Sequence, residues 1–470
     1  MRQSLKLFIV LGITTAVAIK LFLFGLSYPL EFRVRGDAYQ YLSIANELDS
    51  LSSAWGYAGT RSIGFPFFEF VIKQGLLTFT TANTIVAWVN FICLALLIIH
   101  IATAWLFSQW ARRTQLIHSE NGSFFLFAFI GTYPAFIGHT SAPLTDTLAI
   151  DLALCAVITL EAAFNKKRTL SALLFSGLSA FLFGCLILVR PGSLVGVGAA
   201  LIAVGAISLW GDRKKLLLIG VAALGCLTTV APFVSNCTQK YEKICLQSMI
   251  PGFPQDAQAG LAGGRTLWAR GYTDTGLIRT LPDEIMVNNY ANRCHLTSLF
   301  GLSDTSLTGC LLSRPHAIPA YIGKKWIGLF DHFRFTPFLE DHTPFWLRWL
   351  SRAYDSLSWI GFALFFFSII KIAKQESRTR LKTLLAHNIT PALLTIYALL
   401  MLGQHTIMHV EDRYGFPIIP LCATVLAIYG ERALRQYQSF EWRKDGFLVL
   451  YCGLAWAAFI AQIIIWDGTA

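Results

Sequence analysis

Four short segments set ionisable side chains at the ends of long apolar stretches, where charge is costly. The first, Arg33-Val34-Arg35-Gly36-Asp37-Ala38-Tyr39-Gln40-Tyr41, follows the first apolar run directly. Asp37 there reads as a helix N-cap, with Gln40 completing a capping box. The same carboxylate, held ionised at a helix N-terminus, can also take a proton from a hydroxyl. The second segment, Ser141 through Asp146 to Asp151, opens the fourth run. Asp146 can cap that helix, whereas Asp151 lies deeper, where a carboxylate asks for a function. The third is Leu188-Val189-Arg190-Pro191-Gly192, an arginine at a tight turn that can simply snorkel to the interface. The fourth opens the tenth run and gathers His405, His409, Glu411, Asp412 and Arg413 just ahead of Tyr414 and Pro417. Such density, followed by aromatic and proline residues, reads as a shaped site. Carboxylates combined with Arg and His suit an anionic phosphate and an acceptor hydroxyl together.

The composition says what kind of scaffold must hold these residues. Of 470 residues, 55% are hydrophobic and 14% charged, against about 25% charged in a soluble domain. That excludes disorder, a soluble nucleic-acid-binding domain and a secreted disulfide scaffold, and leaves a polytopic helical membrane protein. The excess of 38 Lys and Arg over 27 Asp and Glu, a formal charge of +11, then reads as topology and contact with anionic membrane lipids, with no nucleic-acid partner. Runs long enough to span the hydrocarbon lie near 5–27, 82–107, 123–140, 144–164, 170–189, 192–210, 215–234, 354–372, 384–403, 414–432 and 445–466. The fold class expected is therefore all-α, with about eleven transmembrane helices. The first run contains Lys20 and outlasts a signal-peptide core of about 7–15 residues, so it reads as a retained anchor.

With the N-terminus inside, the inner loops hold Arg112-Arg113, Lys166-Lys167-Arg168, Arg213-Lys214-Lys215 and the basic stretches 371–382 and 432–444. The short outer turns hold only Arg190 and Arg413, so the assignment obeys the positive-inside rule. Residues 28–80 and 235–353 then lie outside, as two elaborations of a single membrane domain covering 1–470. In the first, helical spacing predicts surface helices over 37–48 and 65–77. Four cysteines, Cys237, Cys245, Cys294 and Cys310, fall in the long outer loop. Nearest-neighbour disulfides are the pairing expected among three connectivities.

In their order along the chain these segments resemble the GT-C superfamily of membrane glycosyltransferases, especially bacterial relatives of protein O-mannosyltransferases and lipid A aminoarabinose transferases. The resemblance is carried by Gly36-Asp37-Ala38-Tyr39-Gln40-Tyr41, Thr60-Arg61-Ser62-Ile63-Gly64-Phe65-Pro66, Ala142-Pro143-Leu144-Thr145-Asp146, Leu188-Val189-Arg190-Pro191, Ala231-Pro232, and Glu411-Asp412-Arg413-Tyr414-Gly415-Phe416-Pro417. It implies a GT-C-like fold and transfer of a sugar from a polyprenyl-phosphate donor to a glycan, lipid or protein acceptor on the periplasmic or outer face of an inner membrane. The resemblance maps the catalytic carboxylate onto Asp37 and a second acidic position onto Asp146. Arg190, Arg413 and Arg61 correspond to residues near the lipid phosphate, with His409, Glu411 and Tyr414 beside them. Some members hold a divalent metal on acidic pairs and others do not, so metal use stays open at this point. No Walker loop, GxGxxG, HExxH or GxSxG is present, and nucleotide, zinc-protease and hydrolase chemistry lack support. A ligase or polymerase using a polyprenyl-linked donor, and a transporter or flippase, remain alternatives.

Overall fold

The computed structural model describes residues 2–34, 36–59, 61–79, 84–209, 213–242, 244–246, 322, 326–330, 332, 343–375, 389–407, 412–436 and 442–468. Regular structure among them is helical. Helix α1 (Arg2–Leu26) leads into four helices of the first segment expected outside: α2 (Leu30–Arg33), α3 (Asp37–Glu47), α4 (Leu51–Trp55) and α5 (Gly64–Phe79). The bundle continues with α6 (Ile85–Arg113), α7 (Glu120–Gly131), α8 (Pro134–Thr140), α9 (Thr145–Phe164), α10 (Thr169–Val189), α11 (Ser193–Ser208) and α12 (Arg213–Tyr241). Beyond the long outer segment come α13 (Phe345–Gln375), α14 (Ile389–Ile407), a 3-10 turn (Asp412–Ile418), α15 (Ile419–Gln436) and α16 (Trp442–Gly468).

A helix stands at each of the eleven expected positions, but the helices are not alike. Seven are long and apolar enough to cross a membrane: α1, α6, α9, α10, α12, α13, and α15 with its leading turn. The run expected at 123–140 is a broken span, α7 and α8, bent by 47°. Pro134 opens α8 and supplies no N–H to continue the ladder, which is the physical reason for the break. The remaining apolar stretches, Ser193–Ser208, Ile389–His405 and Leu448–Ala461, are shorter. Among the described helices, seven or eight are long and apolar enough to be crossings by length and composition.

Close packing within the bundle uses small residues, as expected where lipid removes the hydrophobic drive between helices. Helix α10 packs against both α9 and α12. Gly225 of α12 sits so near Ala180 of α10 that a Cβ would press on it. Outward-facing Leu5, Phe8 and Ile13 of α1 and Leu217, Leu224 and Leu227 of α12 are exposed, a lipid-facing surface. Inside, two buried aspartates find partners on neighbouring elements. Asp151, which its depth marks for function, instead pairs with His100 of α6 at 3.1 Å, and that ring's Nε2 lies 3.1 Å from the Ile130 carbonyl. It is a buried cross-link between helices. Asp355 of α13 likewise accepts from Tyr133 (2.7 Å) and from the His332 backbone N–H (2.9 Å), tying the end of the long segment to the broken span.

The far end of α12 reaches back over the first outer segment. Asn236 and Lys240 donate to the carbonyls of Trp55 and Ala58 at 2.8 and 2.6 Å. Cys237 and Cys245 form a disulfide there, as expected, while Cys294 and Cys310 lie outside the described residues. A maleimide applied to denatured, unreduced protein should label Cys93, Cys155, Cys185, Cys226, Cys422 and Cys452 and spare Cys237 and Cys245. Labelling of those two before reduction would show that the bond does not form.

Candidate active site

The site is built on three local devices. The first is Gly36, whose φ of 51° and ψ of −118° suit a residue without a Cβ. Gly36 is the N-cap of α3, which leaves Asp37 inside the first turn with no capping role. Gln40 does not complete a capping box either; its Oε1 accepts from Arg61 Nε at 2.7 Å. The capping expectation for Asp37 is thus corrected, because glycine alone makes the turn and the carboxylate is turned elsewhere. The preceding turn is anchored by the buried Arg33, which donates to Asn90 Oδ1 at 3.0 Å and to the Ser141 carbonyl at 3.4 Å.

The second device docks the loop carrying Arg61 onto the end of α10. Ser62 Oγ donates to the Leu188 carbonyl, and a Cβ on Gly64 would run into the backbone of Leu188 and Val189. This close approach sets Arg61 near Arg190, the residue that ends α10 ahead of Pro191. The third is the 3-10 turn, which places Arg413 and Tyr414 at the mouth of α15. Gly415 lies against the Leu329 carbonyl with no room for a side chain.

Together they form one chain of charge. Arg61 Nη2 donates to Asp37 Oδ1 at 2.5 Å, and Arg413 Nη2 to Asp37 Oδ2 at 3.3 Å. The other amino group of Arg413 stands 3.7 Å from Asp146 Oδ2. Arg190 donates to Asp146 Oδ1. Arg190 and Arg413 also stack over the Tyr414 ring, at 4.8 and 5.7 Å from its centroid. Arg190 is therefore a member of the site and not a snorkelling cation. Tyr41 lies beneath Arg61 at 5.9 Å. Burial first, then the Asp37 charge, pushes its phenol up to about 12 against the opposing arginines, so it stays neutral at physiological pH.

Of the residues named from sequence, Asp37, Arg61, Asp146, Arg190, Arg413 and Tyr414 meet in this cluster. His409 and Glu411 lie outside the described residues. The structure adds His139, whose Nδ1 is 3.5 Å from Asp146 Oδ2, and His405, whose ring stacks on Tyr414 at 4.4 Å. His139 ends the short helix after the proline break, and no local motif marks it. Guanidinium groups stand against both carboxylates. No group of three or more potential ligands gathers among the described residues.

No protein-family model and no curated protein sequence matches this chain. Solved structures do. Crystal structures of the Archaeoglobus fulgidus oligosaccharyltransferase, one tethered with an acceptor peptide containing the NVT sequon via a disulfide bond, one in complex with Zn and sulfate, and one in the apo form, superpose with TM-scores of 0.51, 0.50 and 0.50. The chain has the fold of these structures. Sequence identity is 14%, 15% and 16%, and 98% of this chain is covered. The chain spans about half the length of those structures, 54%, 52% and 55% of each. At such identity the likeness establishes the fold alone, in keeping with the expected GT-C-like architecture, and the chemistry has to come from the side chains above.

Gly36→Ala tests the first device. A residue with a Cβ held at that φ and ψ costs about 1–3 kcal/mol. The variant should melt at a lower temperature in detergent than wild type, while Gly12→Ala in open space on α1 should not. An unchanged melting temperature for Gly36→Ala would show that α3 can begin without the left-handed turn.

Proposed function

We propose that this protein is a glycosyltransferase that moves a sugar from a polyprenyl-phosphate carrier to an acceptor hydroxyl of a glycan, lipid or protein. The observation that carries the proposal is one guanidinium, Arg413, reaching both Asp37 and Asp146 at one end of a GT-C bundle, with Arg61 and Arg190 on either side. Guanidinium groups bind phosphate oxygens in a planar, two-point fashion and suit a phosphate that must leave as an anion. The Archaeoglobus oligosaccharyltransferase, which has the same fold, was crystallised with an acceptor peptide, in keeping with sugar transfer.

The two carboxylates have different jobs. Asp37 keeps 25% of its side chain exposed and can meet an acceptor. Asp146 is 2% exposed and holds Arg190 and Arg413 in place. In the transfer, the acceptor O–H gives its proton to Asp37 as its oxygen bonds to the anomeric carbon. The bond from that carbon to the phosphate oxygen breaks, and its electron pair leaves on the phosphate, where Arg190 and Arg413 stabilise the charge. Tyr414 keeps those two guanidiniums beside each other by cation–π contact.

Orientation is part of the proposal. The site lies where α3 and α9 begin and α10 ends, whereas the basic loops gather at the other end. There Lys214 Nζ donates to the Lys166 carbonyl at 2.6 Å, so two of those loops touch. The positive-inside rule then supports a site on the periplasmic or outer face of a cell membrane.

Two substitutions test the assignment in reconstituted protein supplied with a panel of radiolabelled polyprenyl-phosphate hexoses and pentoses. Asp37→Asn should fold and bind lipid but transfer sugar about 100- to 10,000-fold more slowly, the usual loss with a general base. A rate above about a tenth of wild type would remove Asp37 from the chemistry. Arg413→Lys keeps the charge but cannot span two carboxylates and a phosphate. It should raise the donor concentration needed for half-maximal rate and lower turnover, with membrane insertion intact. Near-normal turnover at limiting donor would overturn its role.

A further inference from the structure

We infer that the lipid phosphate and the Asp37 carboxylate compete for the same guanidiniums, so that Asp37 becomes a base only after the donor has bound. This rests on the proposed handling of a polyprenyl phosphate at the site. Both oxygens of Asp37 accept from arginine, Oδ1 from Arg61 at 2.5 Å and Oδ2 from Arg413 at 3.3 Å. Each oxygen already accepts from a guanidinium, so a hydroxyl with a proton to give meets a carboxylate that is engaged on both sides. In that state it is poorly suited to take one from a neutral hydroxyl.

The geometry shows how it is released. Arg61 is held at Nε by Gln40 at 2.7 Å, which fixes the plane of its guanidinium and presents Nη2 to Asp37, the donor a phosphate would have to take over. Arg413 is held from the other side, by Asp146 and by its stack on Tyr414. Asp37, partly exposed on the first outer segment, is the more accessible of the two carboxylates, and Asp146 is enclosed. An arriving phosphodiester, which offers two charged oxygens as a carboxylate does, draws the donor groups of Arg61 and Arg413 to itself. Asp37 then loses its partners, and its oxygens become open to the acceptor hydroxyl beside the sugar that the acceptor must attack. The pair of arginines thereby couples donor binding to base activation. Such coupling is reciprocal: whatever the phosphate takes from Asp37, Asp37 withholds from the phosphate. The order of addition is donor first, acceptor second, and without donor the site holds no active base.

Reciprocity yields a counter-intuitive outcome. Removing the catalytic carboxylate should strengthen lipid binding. Full-length protein in detergent would be titrated with tritiated undecaprenyl phosphate as wild type, as Asp37→Asn and as Glu47→Gln. Glu47 is an exposed acid at the other end of α3, where its carboxylate accepts from Ser43, and it controls for loss of one negative charge. Asp37→Asn should bind about tenfold tighter than wild type, the scale of one charge-assisted hydrogen bond, and Glu47→Gln should bind like wild type. Infrared difference spectra of wild-type protein carrying 13C-labelled aspartate give a second measurement that needs no variant. One aspartate carboxylate band should move when the lipid is added. Lipid binding with no band shift, or with Asp37→Asn no tighter than Glu47→Gln, would overturn the competition while leaving the sugar-transfer proposal standing. Failure of wild-type protein to bind the lipid at all would overturn both.

Discussion

Arg413 is the joint on which the site depends. Its guanidinium touches a carboxylate from the first outer segment and one from the mouth of α9, while its face rests on Tyr414. The two ends of that bridge to Asp37 are 376 residues apart in the chain. Charges this close to hydrocarbon are tolerable only when each is matched, and here each acid answers more than one base. Asp146 faces Arg190, Arg413 and His139, and Asp37 faces Arg61 and Arg413. Because each acid has a second partner, one contact can break without leaving a buried charge unmatched.

The helices exist in part to bring these groups together. Close packing of α10 against α12 and α9, and the approach of Gly64 to the end of α10, set the distance between Arg61 and Arg190. Anchors away from the site serve the same end: the disulfide-braced end of α12 holds the 55–58 carbonyls, and Asp355 holds the segment that precedes α13. The first outer segment is thus pinned at Arg33, at Ser62 and at α12. A rigid frame around two partly exposed groups, Asp37 and Arg61, is what a site needs when it must release a base without losing its geometry.

Much of this was legible in the sequence, and the errors are instructive. The helices at 37–48 and 65–77 follow from spacing, and α3 and α5 occupy those stretches. Asp37 and Asp146 stood out because carboxylates rarely border apolar runs. Their partners were harder to read. Asp37 looked like a cap because Gln40 follows at the right interval, but Gly36 makes the turn and Gln40 holds Arg61 instead. Asp151 looked functional because it is deep, yet His100 of a neighbouring helix answers it. His139 carries no local signal and enters only because the bent α7–α8 pair brings it to Asp146.

The chain's own order of residues determines what is local: where apolar runs begin and end, where glycine permits a left-handed turn, where proline breaks a helix, and which ends carry basic charge. These depend on neighbours within a few turns, because hydropathy, φ/ψ sterics and helix capping act over that range. Which acid meets which arginine was decided only by the tertiary structure. Arg61 reaches Asp37 across 24 residues, Arg190 reaches Asp146 across 44, and Arg413 reaches Asp37 across 376. No periodicity encodes such pairings. They arise because helix packing fixes the positions of side chains that are remote along the chain, and electrostatic attraction then falls to whichever groups that packing leaves within a few ångströms.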